Sequence, residues 1–252
     1  MSGSLLTAKA KAGGIHFLLS AMVVAGVLGL ATWLWYPSGL RLAAGLFNLA
    51  LIMVLVDLVL GPALTMLVYR PAKPSLRFDL AVIALIQLAA LVYGVNSIHQ
   101  ARPAYVAFVV DRFEMVSAAD LEPASLAQAQ APYNRMPDRG PTWVRVEMPT
   151  DPALLADLTL AEAVSGAGPA MLPRLYRPLE KLPAADMSRA KPVRELEQFN
   201  QSARVEQVIA DLKRSAEGLR YVPMRAIGRD MTVIVDAQDG QVLGIVDLRP
   251  WS

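Results

Sequence analysis

The stretch DLVLGPALTMLVYRPAKPSLRFDLAVIALIQLAALVYGVNSIHQARPAYVAFVVDRFEMVSAADL, residues 57–121, decides the fold. Two long apolar runs are joined in it by the short basic, proline-bearing loop Arg70–Pro71–Ala72–Lys73–Pro74–Ser75–Leu76–Arg77. After Gln100–Ala101–Arg102–Pro103 the pattern changes to bulky, β-branched residues, the signature of a strand. Hydrocarbon and water therefore meet inside this one stretch.

Charge is partitioned to match. Up to residue 100 the charged side chains are Lys9, Lys11, Arg41, Asp57, Arg70, Lys73, Arg77 and Asp79, whereas both signs recur throughout the remainder. The 54% hydrophobic fraction of the 252 residues is concentrated in the first hundred, which predicts a membrane part and a water-soluble part. A net charge of +2, with no lysine-rich run or aromatic-and-basic patch, argues against a nucleic-acid surface. The absence of cysteine excludes disulfides, thiolate nucleophiles and cysteine-ligated metals. Only His16 and His99 offer imidazole, and both sit at ends of apolar runs away from any carboxylate cluster in sequence.

Residues 1–14 read as a short cytoplasmic amino terminus carrying Lys9 and Lys11. Ile15–Tyr36 then runs uncharged, long enough to cross a hydrocarbon core of about 30 Å. A signal peptide is the competing reading, but the apolar run exceeds a signal core and ends in Trp33, Trp35, Tyr36 and Pro37, which suit an interfacial belt, so an uncleaved helix is expected. With Ser38–Gly39 as a tight turn, the second span covers about 42–69 and the third about 80–98, giving a three-helix membrane domain at 15–99. Lys9, Lys11, Arg70, Lys73 and Arg77 fall on one side, with Arg41 and Arg102 opposite. The positive-inside bias thus puts the amino terminus in the cytoplasm and residues 100–252 outside, in the periplasm of a Gram-negative cell.

In that outer part Ala104–Val110 reads as a strand that Asp111–Val116 continues after a bend, followed by a short helix toward Ala131 and turns from Pro132 to Pro141. Thr142–Met148 alternates as a strand, and Asp151–Pro152 opens a helix reaching about Val164. Gly166–Pro192, rich in proline, is expected to be an extended loop. Lys191–Leu219 predicts one long amphipathic helix, and strands at 219–227 and 231–235 precede a carboxy-terminal hairpin turned by Asp236–Gly240. The fold class expected is three transmembrane α-helices followed by an extracytoplasmic α+β domain.

Asp57 is the most informative single residue. A carboxylate inside a membrane helix costs several kcal/mol, so it must face a partner helix, a polar cavity or a proton. Gln87 lies at a similar depth on the antiparallel third span and is its expected polar neighbour. Two readings compete: a site for a partner's helix or a proton, and an interhelical hydrogen bond that fixes packing. Gly61–Pro62 predicts a kink, with a break in a substrate pathway as the alternative. Ser20, Gly26, Gly29 and Gly45 are small enough to permit close helix approach. Arg102 and Arg112 bracket the first outer strand and suit a lipid phosphate or a partner carboxylate, against the plainer roles of juxtamembrane anchor or surface ion pair. Glu195, Glu197, Glu206, Asp211, Lys213 and Arg214 read as a solvated helix face, and Asp236 and Asp239 as turn residues. No Gly-rich phosphate loop, nucleophile elbow or HExxH motif is present, so no catalytic, cofactor-binding or metal residue is expected.

DLVLGPALT (57–65), RPAKPSLRFDLAVIALIQLAALVYG (70–94), QARPAYVAFVVDRFEMVSAADL (100–121) and YVPMRAIGRDMTVIVDAQDGQVLGIVDLRPW (221–251) together resemble the type IV pilin accessory proteins, the TfpX/TfpZ group. The resemblance covers a third to a half of the chain. It implies a non-enzymatic protein of the bacterial inner membrane that acts with its cognate major type IV pilin and modulates pilus assembly, with the lipid bilayer as its other neighbour and no stated oligomeric state. The rival expectation is a membrane-anchored sensor or scaffold binding another envelope component.

Overall fold

Pro62 sets the geometry of the second span. In the computed structural model, which describes residues 2–37 and 39–251, that span covers Leu46–Val68 but changes winding within it: α-helical at Leu46–Val54, one π-helical turn at Leu55–Leu60, α-helical again at Gly61–Val68. Proline has no N–H and crowds the preceding turn, and widening that turn is one of the few ways a helix absorbs it. The first span is a helix over Ser2–Leu34 and the third over Leu76–Gln100. All three are long and apolar enough to cross a membrane. Exposed Leu18, Met22, Phe47, Leu67, Leu85 and Tyr93 form an outer surface suited to lipid.

The first helix starts well before the expected residue 15, because the alanine-rich segment Ala8–Ala12 continues the same winding beneath its two lysines. Close approach is seen at Gly45, which Gly228 abuts, but not at Gly26 and Gly29. Gly26 and Gly29 have open space where a Cβ would sit, whereas Gly94 lies against Met53 and Gly13 against Met66. Ser38, half of the expected Ser38–Gly39 turn, lies outside the described residues.

The chain forms two compact units, Met1–Trp33 with Leu46–Gln100, and Leu34–Gly45 with Ala101–Ser252. The second is built on a mixed sheet in the order β4-β3-β1-β2-β6-β7-β8, with β5 pairing β6 beside it. The strands are β1 (Pro103–Val109), β2 (Arg112–Ser117), β3 (Thr142–Val146), β4 (Tyr176–Pro178), β5 (Lys191–Pro192), β6 (Leu219–Arg225), β7 (Met231–Asp236) and β8 (Val242–Val246). Every residue of β1 is buried, which makes it the central strand of one half. β1 runs parallel to β3 and antiparallel to β2, and β2 in turn meets β6 in parallel over Phe113↔Met224 and Glu114↔Arg225. Apolar clusters of described residues pack within the unit. Tyr105, Tyr133, Val144 and Tyr176 anchor one, and Leu196, Val205, Ile209, Tyr221 and Ile234 another.

Three sequence expectations are corrected here. Residues 104–116 are a hairpin rather than one bent strand: the chain reverses at Val110, held at φ 55 in the left-handed region, and β2 pairs back on β1. Gly166–Pro192 is not simply an extended loop, because it contributes β4, β5 and a short helix at Ala184–Met187. The long helix expected at Lys191–Leu219 is broken. Lys191–Pro192 is strand, Val193–Gln198 is a 3-10 segment, the α-helix occupies only Ser202–Asp211, and Ala216–Gly218 is a 3-10 turn. Asn200 makes the break, donating to the carbonyls of Leu196 (2.8 Å) and Arg249 (2.9 Å) while its Oδ1 accepts from Arg249 N (2.8 Å). The hairpin β7–β8 is as expected, turned by Asp236, Asp239 and Gly240 (φ 75).

The connector between the first two spans belongs to this second unit. Tyr36, Leu40 and Ala43 are buried in it, Gly140 N donates to Leu34 O (2.9 Å), and Gly228 N donates to Ala43 O (2.8 Å).

Candidate functional site: a polar-floored groove among the three spans

Sequence-predicted Asp57, Gln87, Gly61 and Pro62 do come together, through the backbone. In the π turn Gly61 N–H bonds to the carbonyl of Val56, five residues back. The same spacing would give the Asp57 carbonyl to residue 62, but that is proline and has no N–H to donate. Gln87 Nε2 reaches across from the third span and donates to this orphaned carbonyl at 3.2 Å. Inside hydrocarbon an unmet carbonyl costs several kcal/mol, so the glutamine repairs the defect that the proline creates. Gly61 makes room for it. A Cβ there would stand 2.0 Å from Gln87 Nε2.

Gly61→Ala is therefore expected to displace the Gln87 amide. That leaves the Asp57 carbonyl unmet inside hydrocarbon and costs several kcal/mol. Thermal melting of the protein in nanodiscs checks this, and a loss of about 1 kcal/mol or less would show that the carbonyl does not depend on Gln87.

Gln87 also neighbours the Asp57 carboxyl, yet one of the carboxyl's two oxygens is left over. Asp57 is 5% exposed, and its Oδ2 is buried with no hydrogen-bond partner among the described residues. Beside it opens a groove of about 730 Å³, lined by Lys11, His16 and Ser20 of the first span, Asp57 and Thr65 of the second, and Gln87 of the third, among apolar side chains. His16 Nδ1 and Thr65 Oγ1 share a hydrogen bond of 2.6 Å. Lys9 Nζ donates to the carbonyl of Leu67 at 3.2 Å, so the amino-terminal half of the first span is tied to the carboxy-terminal half of the second.

His16 and Thr65 are the members that sequence reasoning missed. A histidine and a threonine inside apolar runs were the available signal, but their separation of 49 residues gave no reason to pair them. His16 shares the groove with the single carboxylate of Asp57.

The two arginines are elsewhere, in the second unit. Arg102 is 8% exposed; burial pulls its pKa down while Tyr36 and Asp138 hold it up, and its own carbonyl accepts from Ala118 N at 3.0 Å. Arg112 forms ion pairs with Glu114 (2.9 Å) and Asp111 (3.2 Å) at the β1–β2 hairpin.

No protein-family model matches the chain, and no solved structure does. Curated sequences do. Over 122 residues the chain is 38% identical to the fimbrial assembly protein of serogroups C1 and C2 of Dichelobacter nodosus, covering 48% of this chain and 93% of that one. This chain belongs to the fimbrial assembly protein family. The serogroup I and serogroup E1 fimbrial assembly proteins of the same organism are 37% and 35% identical over 130 residues. That match spans about half the length of each of those two relatives and of this chain, 51% in each case. Membership agrees with the type IV pilus resemblance carried by residues 57–65, 70–94, 100–121 and 221–251.

Proposed function

We propose that this chain is a non-enzymatic, chaperone-like accessory protein of the bacterial inner membrane that binds a type IV pilin and promotes pilus assembly. One observation carries the reading: the buried, unpartnered Asp57 oxygen beside an open apolar groove in a protein whose relatives are named fimbrial assembly proteins. A groove of this size holds the side chains along one face of a helix, and its apolar walls give a water-soluble ligand little to bind. The pilin's membrane helix lies along the three spans, and a hydrogen-bond donor or positive group on it reaches Asp57, supplying the partner that the resting protein lacks.

Orientation supports the same reading. That the connector 34–45 and residues 101–252 share one folded unit supports putting both on one side of the membrane. The loop and amino-terminal cations favour the cytoplasm for the other side. The outer α+β unit then meets the pilin's globular head in the periplasm while the groove holds its anchor.

The test is in-cell photocrosslinking from Ile15 and Leu91, which line the groove, in protein with and without Asp57→Leu. Pilin adducts at both positions are expected, falling about tenfold in the variant, the equivalent of one lost charged contact, together with loss of surface pili. Undiminished pilin capture and normal piliation in Asp57→Leu would overturn the role of Asp57. Deletion of the protein with surface pilin unchanged would favour a sensor or scaffold instead.

A further inference from the structure

The second unit holds a concavity of about 890 Å³ that the proposed function does not use. It forms where the Asn200 break, the β6–β7 turn and the tail after β8 converge, and its charged lining among the described residues is Arg204, Arg229, Arg249, Asp230 and Asp247, with Trp251 at one side. Both Asp230 oxygens are engaged by neutral donors, Oδ1 by Ala226 N at 3.0 Å and Oδ2 by Trp251 Nε1 at 2.8 Å. Asp247 takes Arg229 Nη1 at 3.1 and 3.3 Å, with Arg204 Nη2 farther off at 3.8 Å. The Arg249 guanidinium has no partner among the described residues, although its backbone is fixed at both N and O by Asn200.

Three guanidiniums thus face two carboxylates, a surplus of one positive charge, and each guanidinium has five N–H donors in a rigid planar fork. We propose that this pocket binds a carboxylate on a polypeptide segment of a partner protein, gripped by Arg249 and Arg204. A single surplus charge matches a monoanionic carboxylate better than a phosphate dianion, and the guanidinium fork suits its two oxygens. The volume far exceeds a lone anion and leaves room for the residues around it. Trp251, whose indole nitrogen is occupied by Asp230, offers its ring as a surface for the segment to pack on. The site does not depend on the membrane groove.

The test uses full-length protein in nanodiscs and fluorescently labelled capped peptides, Gly-Ser-Glu-Ser-Gly and its Gln counterpart, with inorganic phosphate as competitor. The Glu peptide is expected to bind at least about fivefold more tightly than the Gln peptide, and to weaken by a similar factor between about 50 mM and about 500 mM salt. Arg249→Gln should weaken it about fivefold or more, and Arg249→Lys less, because the charge stays while the fork is lost. Asp57→Leu should leave it unchanged, which separates this site from the groove. The Arg249 side chain is exposed and carries no fold-sustaining contact, so an unaltered melting curve in Arg249→Gln confirms that binding alone is altered. Equal binding of the two peptides, an unaffected Arg249→Gln, or phosphate outcompeting the Glu peptide at equal concentration would each overturn the proposal.

Discussion

Gly228→Ala should unfold the packing of the connector between the first two spans. A Cβ at position 228 would lie 2.3 Å from Gly45 N, 2.6 Å from Gly45 Cα and 2.8 Å from Leu42 O. Every one of these atoms is backbone, so no rotamer change relieves the overlap, and the connector itself is held by buried Tyr36, Leu40 and Ala43. The chain must give up the Gly228 N to Ala43 O bond and part of that burial. Overpacking against rigid backbone together with a lost buried hydrogen bond costs about 3 kcal/mol or more. For a unit of this size that lowers the melting temperature by on the order of 10 °C. Gly244→Ala is the matched control, because nothing stands within 4 Å of its added Cβ. The expected pattern is a large drop for Gly228→Ala with new protease cleavage within 34–45, and little change for Gly244→Ala. Equal melting of the two variants would mean that the connector is not packed as described.

Alkaline pH should destabilise the same unit sharply between about pH 10 and 12. Tyr105, Tyr133 and Tyr176 meet edge to face, with ring centroids 4.8 to 6.3 Å apart. Tyr105 donates to the Arg135 carbonyl at 3.2 Å and Tyr176 to that of Ala170. Burial, then the neighbouring Tyr133, pushes the Tyr105 hydroxyl up to about 12. Burial, then Tyr105 and Asp120, raises Tyr176 as well, and burial raises Tyr133 against the opposing pull of Arg177. In the unfolded chain tyrosines ionise near 10, so above that pH the unfolded state has released protons that the folded state still holds, and stability falls as pH rises. Below pH 10 the contribution is fully present. A shift of this size at Tyr105 alone corresponds to roughly 3 kcal/mol. Melting curves should be level to about pH 9.5 and then fall steeply, and Tyr105→Phe should flatten that fall at a cost of about 1 kcal/mol at neutral pH for its hydroxyl's bond. An alkaline limb as steep in Tyr105→Phe as in the natural sequence would exclude Tyr105 as a contributor.

What the sequence made legible follows from which interactions are local. The three spans were readable because a hydrocarbon environment excludes charge along a whole contiguous run, and Asp57 and Gln87 were paired correctly because antiparallel helices joined by a short loop share depth. The atom that Gln87 meets was not readable, since it depends on whether Pro62 kinks the helix or widens it. The reversal at Val110 was hidden because a β-branched residue stands where glycine or asparagine usually marks a tight turn. The break at Asn200 was hidden because its partner, Arg249, lies at the far end of the chain. The soluble helix retained its legible face, Val205 and Ile209 with Val208 and Leu212, but not its length.

The connector also imposes an order on biogenesis. Leu34–Gly45 precedes the second and third spans in the chain, yet the backbone that completes its packing, Gly140 and Gly228, follows them. After the first two spans have inserted, this loop must wait with Tyr36 and Leu40 uncovered until the third span has crossed and the sheet has closed. Its burial therefore has to follow synthesis of the residues up to Gly228. A chain truncated before Gly228 would keep its spans but display an open connector, the kind of exposed apolar segment that proteases act on.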